Sequence, residues 1–253
     1  MFSRTDPNPF LVDRNPIMSN QIKRNELYMT KTYLFEENID TKDISFELIL
    51  KLDAEDSLAD QKEKFDLPEG LIYLDGNSLG AMPKEVSTYF EKELREGWAT
   101  GLIRSWNQKG WHVMPVTLGN RLAPMMGADK GEVLIVDSTS LNLFKTLVAA
   151  LKMRPDRSEV VSEKGNFPSD IHVVQGVLNN FFPNSKLILT GNTDDEIISA
   201  INEKTAVVTL THVNYKTGQI HDMKRITEKA HENGALIIWD LAHTLGALPV
   251  DLN

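Results

Sequence analysis

A chain of 253 residues with 36 acidic and 27 basic side chains, net charge -9, suffices for one large domain and is too acidic for a nucleic-acid partner. It has no cysteine, which excludes disulfides, thiolate metal sites and cysteine nucleophiles. Hydrophobic residues make up 41% in short runs; none approaches the roughly 20 residues that cross a bilayer, and the start MFSRTDPNPFLVDRNPIM lacks a secretory core, so a cytoplasmic globular protein with no membrane partner is expected.

Residues 1–42 are polar and irregular, with Pro7, Pro9 and Pro16, and read as an extension. From Asp43 the pattern turns helical, then LIYLD (71–75) reads as a short strand and GNSLG (76–80) as a loop. Pro83 suits a helix start, and Val86, Phe90 and Leu94 recur at a spacing of four, so a helix to about Trp98 is expected with this face in the core. Beyond Gly131 comes the strand EVLIV (132–136), then a helix with Leu141, Phe144, Leu147 and Leu151 on one side. EVVS (159–162), KLILT (186–190), TAVVTL (205–210) and ALIIWD (235–240) read as strands, with helices near 170–179, 194–203 and 222–233. Short uninterrupted apolar strands alternating with helices predict an α/β fold, a mostly parallel sheet with helices on both faces.

In such sheets ligands bind beyond the carboxyl ends of the strands, so the residues after each strand carry the chemistry. Asp137, Ser138, Thr139 and Ser140 place hydroxyls and open backbone N–H groups at a helix start, which suits either a phosphate or ordinary capping. GNFPSD (165–170) offers Phe167 as a plate for a flat heteroaromatic ring or as a core aromatic, and Asp170 as a helix cap. THVNYKTGQIHD (211–222) offers Thr211, His212, Asn214, Tyr215 and Lys216; the lysine is a Schiff-base candidate but precedes Gly218 in a turn, where it is more simply solvated. ALIIWD delivers Asp240 from a buried run with His243 close behind, and an unpaired carboxylate there is costly. A cation such as a protonated pyridine nitrogen gives it a partner; a helix cap or a metal pair with His243 are the alternatives, although His212 and His221 offer no convincing ligand spacing.

Together YLDGNSLG (73–80), GLIRSWN (101–107), STSLNLFK (138–145), NFPSD (166–170), LTHVNYKTG (210–218) and IWDLAH (238–243) resemble the bacterial kynureninases, from about Asp53 to Asn253. The resemblance implies a pyridoxal 5'-phosphate (PLP) enzyme of the aspartate-aminotransferase-like fold. It implies a homodimer that hydrolyses L-kynurenine, or 3-hydroxykynurenine, to anthranilate, or 3-hydroxyanthranilate, and L-alanine in tryptophan catabolism. Residues 43–253 would then be the N-terminal segment and most of the PLP-binding large domain. Carried over by motif, Thr139 and Ser140 hold the cofactor phosphate, and Phe167 stacks on the ring. Pro168, Ser169, Asp170 and Thr211 contact it, Asp240 pairs with the pyridine nitrogen beside His243, and Trp106 shapes the substrate pocket. The family's Schiff-base lysine lies in a S-Y-K-Y-L-N-like stretch beyond the segment matching VDLN, and its substrate-gripping arginine in a small domain. This chain alone is therefore expected to lack the catalytic lysine and to be inactive. Pro115 and Pro124 fall where the family looks helical, which predicts a local break. A cysteine desulfurase or lyase of the same fold, and a noncatalytic remnant, are the alternatives; GLIRSWN and NFPSD weigh against the former.

Overall fold

The computed structural model describes residues 45–253; the expected extension over 1–42 lies outside the described residues. The chain divides into two compact units, one ending at Pro124 and the other spanning Met125–Asn253.

In the first unit, α1 (Phe46–Glu55) is capped by the Ser45 hydroxyl, which accepts the Leu48 N–H at 3.1 Å. A two-residue antiparallel ladder joins β1 (Phe65–Asp66) to β2 (Met82–Pro83). Helix α2 (Val86–Lys92) runs on into a π-helical stretch over Glu93–Gly101, followed by the short α3 (Ser105–Gln108) and by α4 (Met114–Leu122). Three expectations need correction here. LIYLD forms no strand: the Tyr73 hydroxyl contacts the Asp75 and Leu79 carbonyls, the Ser78 N–H donates to Asp75, and the segment closes on itself as a loop. Val86 and Phe90 are 45% and 64% exposed, since periodicity defines which face is apolar and not what covers it. Pro115 lies in the first turn of α4, where its missing N–H costs nothing, and Pro124 follows the helix in a 3-10 turn, so the prolines bracket the helix.

The second unit is a four-stranded parallel sheet in the order β4-β3-β5-β6. The strands are β3 (Glu159–Glu163), β4 (Lys186–Thr190), β5 (Thr205–Thr211) and β6 (Leu236–Asp240). Helix α5 (Thr139–Met153) precedes the sheet; α6 (Pro168–Phe181), α7 (Asp194–Ala200) and α8 (Met223–Glu232) connect its strands. Side chains alternate across each strand. Val160 and Val207 pack with Leu147, Leu151, Val174 and Val177 from α5 and α6, while Val161 and Val208 pack with Ile197, Ile226 and Ala230 from α7 and α8. Each fully buried branched side chain contributes about 1.5–3 kcal/mol relative to exposure. EVLIV is the further correction: residues 133–136 take no regular secondary structure and join no ladder among the described residues, and Leu134, Ile135 and Val136 are 55%, 42% and 38% exposed. A strand holds only when a neighbour takes its N–H and C=O groups, and apolar sequence does not supply one.

From β3 the chain winds to β4 on one side, and from β5 to β6 on the other. The crevice at the carboxyl ends of β3 and β5 is therefore the switch point of the sheet, where a ligand can enter between diverging loops.

Candidate functional site

The four strands deliver Glu163, Thr190, Thr211 and Asp240 to one rim. Asp240 Oδ1 accepts the Ala242 N–H at 2.8 Å, which orients the carboxylate at the strand end. Across from it lies Asp170, 2% exposed and close enough to share a hydrogen bond with Asp240. Burial, and then the charge of Asp240, push the Asp170 carboxyl up to about 6, against the opposing Ser169 hydroxyl. A buried carboxyl facing a half-buried one either retains a proton or accommodates a cation.

Phe167 is extended, at φ -59 and ψ 133, as a residue before proline must be, and Pro168 occupies the first turn of α6. Asp170 therefore lies inside that first turn and does not cap the helix, a correction that still leaves its carboxylate at the positive helix end. The Phe167 ring is 37% exposed and meets Tyr215 edge-on at 4.9 Å; Tyr215 in turn lies 6.5 Å from the half-buried His243. Asn166 ties this cluster to the sheet: it donates to Ser162 Oγ at 3.0 Å and accepts the buried Thr211 hydroxyl at 2.6 Å.

At the start of α5, Ser138 is the cap and accepts the Leu141 N–H at 3.4 Å. Thr139 and Ser140 occupy the first turn, exposed and half-buried, so the cap does not require their hydroxyls and both remain at the positive end of a 15-residue helix. Helix α5 packs on β5 and β6, so this terminus, Phe167, Asp170, Thr211, Asp240 and His243 all belong to the second unit. Lys216 is exposed in the turn before Gly218, its N–H donated to Asn214 Oδ1, as a solvated lysine would be. Trp106 belongs to the first unit, 51% exposed and edge-on to Trp111 at 6.4 Å.

Sequence reasoning passed over a second cluster on the rim. The His221 ring is wholly buried, with Nδ1 2.6 Å from Asp194 Oδ1 and Nε2 3.3 Å from Glu163 Oε2. The Glu163 contact is electrostatic, as neither Glu163 oxygen nor His221 Nε2 makes a formed hydrogen bond.

A parallel, doubly wound sheet with acidic and aromatic side chains on its carboxyl rim places the molecule in the class of α/β folds whose ligands enter at strand ends. The aminotransferase class-V family matches residues 72–253, and the chain belongs to that family. Within it, the chain is 50% identical over 208 residues to the kynureninase of Pseudomonas fluorescens, covering 81% of this chain and 50% of that one. The kynureninase of Burkholderia pseudomallei (strain K96243) is 48% identical over the same length. The chain thus spans about half the length of the curated relatives it matches. Among solved structures, a C-DES mutant with glycine covalently linked to its PLP cofactor aligns with TM-score 0.61 and 17% identity, over 75% of this chain and 51% of that one. The cysteine desulfurase CsdA of Escherichia coli aligns with TM-score 0.60 and 18% identity, over 77% and 51%. At such identities these two show the fold alone.

Proposed function

We propose that the second unit is the PLP cradle of a kynureninase-type enzyme, a cytoplasmic homodimer that hydrolyses L-kynurenine to anthranilate and L-alanine. The observation that carries the reading is the convergence of Asp170 and Asp240 on the carboxyl rim of the sheet, with the half-exposed Phe167 three residues before Asp170. A buried acid beside a half-buried one, with the buried carboxyl pushed up to about 6, fits a ligand that brings a positive ring nitrogen. The kynurenine substrate is proposed from the identity of 50% over 208 residues, while likeness to lyases and desulfurases concerns only the fold.

When bound, PLP supplies an electron sink for bond cleavage in an amino-acid substrate. The residues of this chain bind and orient. Asp240, fixed by the Ala242 N–H, would hold the proton on the pyridine nitrogen, and Asp170 adds negative potential beside it. Phe167 would cover one ring face, held by the restricted backbone before Pro168. Thr139 and Ser140, with the open N–H groups of α5, would take the phosphate; Ser169, Thr211 and His243 line the remaining edge, and Trp106 is assigned to the substrate pocket. No residue of this chain is assigned the covalent role.

Titrating the 253-residue chain with PLP, followed by tryptophan fluorescence and the cofactor's absorbance, tests the cradle. Saturable binding that Asp240→Asn weakens is expected; no saturation, or an Asp240→Asn chain that binds equally well, overturns it. Assaying the complete protein with kynurenine against cysteine tests the substrate.

A further inference from the structure

Strand β5 leads into an excursion over residues 212–221 that returns on itself. Its base is closed by the His221 N–H donating to the His212 carbonyl at 3.0 Å, and above it the Asn214 N–H donates to Gln219 at 2.8 Å and Val213 bridges Ile220. The tip turns on Asn214, whose side-chain oxygen accepts the Lys216 and Thr217 N–H groups, and on Gly218 at φ 71. The excursion presents Tyr215 to Phe167 at 4.9 Å, and the Asn214 amide donates to the Gly165 carbonyl at 3.0 Å. Where the Tyr215 ring stands in the cleft therefore depends on how firmly the base is fixed.

The base is fixed by a buried side chain with two acidic neighbours. The His221 ring, 0% exposed, lies between Asp194 of α7 at 2.6 Å and Glu163 at the end of β3 at 3.3 Å. Glu163 is itself 1% exposed, and Asp194 Oδ2 also accepts the Asp222 N–H at 3.1 Å. From α8, Arg225 reaches Asp195 at 2.6 Å; from the end of β5, His212 turns its Nδ1 to the Thr244 hydroxyl at 3.0 Å. A neutral imidazole has one N–H, and a carboxylate on each ring nitrogen calls for two. Burial works against the charged ring, but Glu163 and Asp194 outweigh it and hold His221 above the ordinary 6.5. His212, by contrast, is held below 6.5 by burial and by the charge of His221.

We propose that His221, held as a cation between Glu163 and Asp194, is the positioning residue that fixes the 212–221 excursion and the Tyr215 ring it presents beside Phe167 in the ligand cleft. The consequence for PLP rests on the cradle reading; the positioning itself does not. A histidine whose folded value is raised contributes fully below 6.5 and loses its contribution as pH climbs through that higher value. Asp194, opposed by burial but held below its ordinary 3.8 chiefly by the His221 hydrogen bond, loses its contribution only as pH falls through that lowered value. The clamp is thus complete between about pH 4 and 6.5 and opens on the alkaline side.

The test uses the whole chain, with NMR of the His221 ring, amide-exchange protection at Asn214 and His221, and PLP titration. In the wild type the ring nitrogens should show a doubly protonated imidazole at pH 6. Glu163→Gln and His221→Gln should each lower the protection of the Asn214 and His221 amides at least tenfold while Val207 and Val208 keep theirs, and His221→Gln should weaken PLP at least fivefold. A neutral ring at pH 6, or unchanged excursion protection in both variants, overturns the proposal. If both variants unfold, the wild-type pH series decides: protection that falls as the ring deprotonates supports the clamp, and protection indifferent to it overturns the clamp. Failure of the wild type to bind PLP would sink the cradle reading alone, since the NMR arms need no cofactor.

Discussion

The rim carries two acidic pairs that meet the same physical problem differently. Glu163 and Asp194 enclose His221, so the protein supplies its own cation. Asp170 and Asp240 face one another instead, and burial together with the Asp240 charge raises the Asp170 carboxyl to about 6. A pair completed from within suits a structural fastening, whereas a pair left acidic suits the positive ligand proposed above.

The sharpest way to break this contrast is to remove the internal cation. His221→Ala leaves the buried Glu163 and the partly buried Asp194 without their counter-charge and should lower the unfolding free energy in urea by about 3–5 kcal/mol; a loss below about 1 kcal/mol would make the two pairs equivalent. Next comes pH. For Asp170, raised from 3.8 to about 6, protonation favours the folded state, so its contribution is complete below 3.8 and is lost as pH rises through about 6. The loss is on the order of 3 kcal/mol, and carboxyl carbon shifts in the wild type and in Asp240→Asn should show the value falling back when the neighbouring charge is removed. Third, Asp240→Asn should weaken PLP by about 1.5–3 kcal/mol, roughly ten- to hundredfold, in the fluorescence titration. Smallest, Phe167→Leu keeps the bulk but loses the ring and should weaken PLP by about 0.5–1.5 kcal/mol in the same assay.

The sheet was legible in the sequence because parallel strands buried on both faces must be apolar throughout. EVVS emerges within β3 (Glu159–Glu163) and TAVVTL within β5 (Thr205–Thr211), both fully buried. The same rule misread LIYLD and EVLIV, equally apolar runs whose backbones find no ladder partner among the described residues. Of the site, Asp240 was visible as a carboxylate issuing from a buried run. Glu163 ends EVVSE in the same manner, a signal that was there to be read. His221 and Asp194 carried none, because β5 and the 212–221 excursion separate them in the chain and only the fold makes them neighbours. Tyr215 was visible as a residue after β5, but its place beside Phe167 depends on how the excursion turns.

The strand order has a bearing on assembly during synthesis. β3 and β4 pair early through the local α6 connection, yet β3 is interior to the sheet and its other side is claimed only by β5, made later. Until β5 leaves the ribosome, the nascent βαβ unit presents a bare, apolar edge to the cell, the surface most open to chaperones and to misassociation between growing chains.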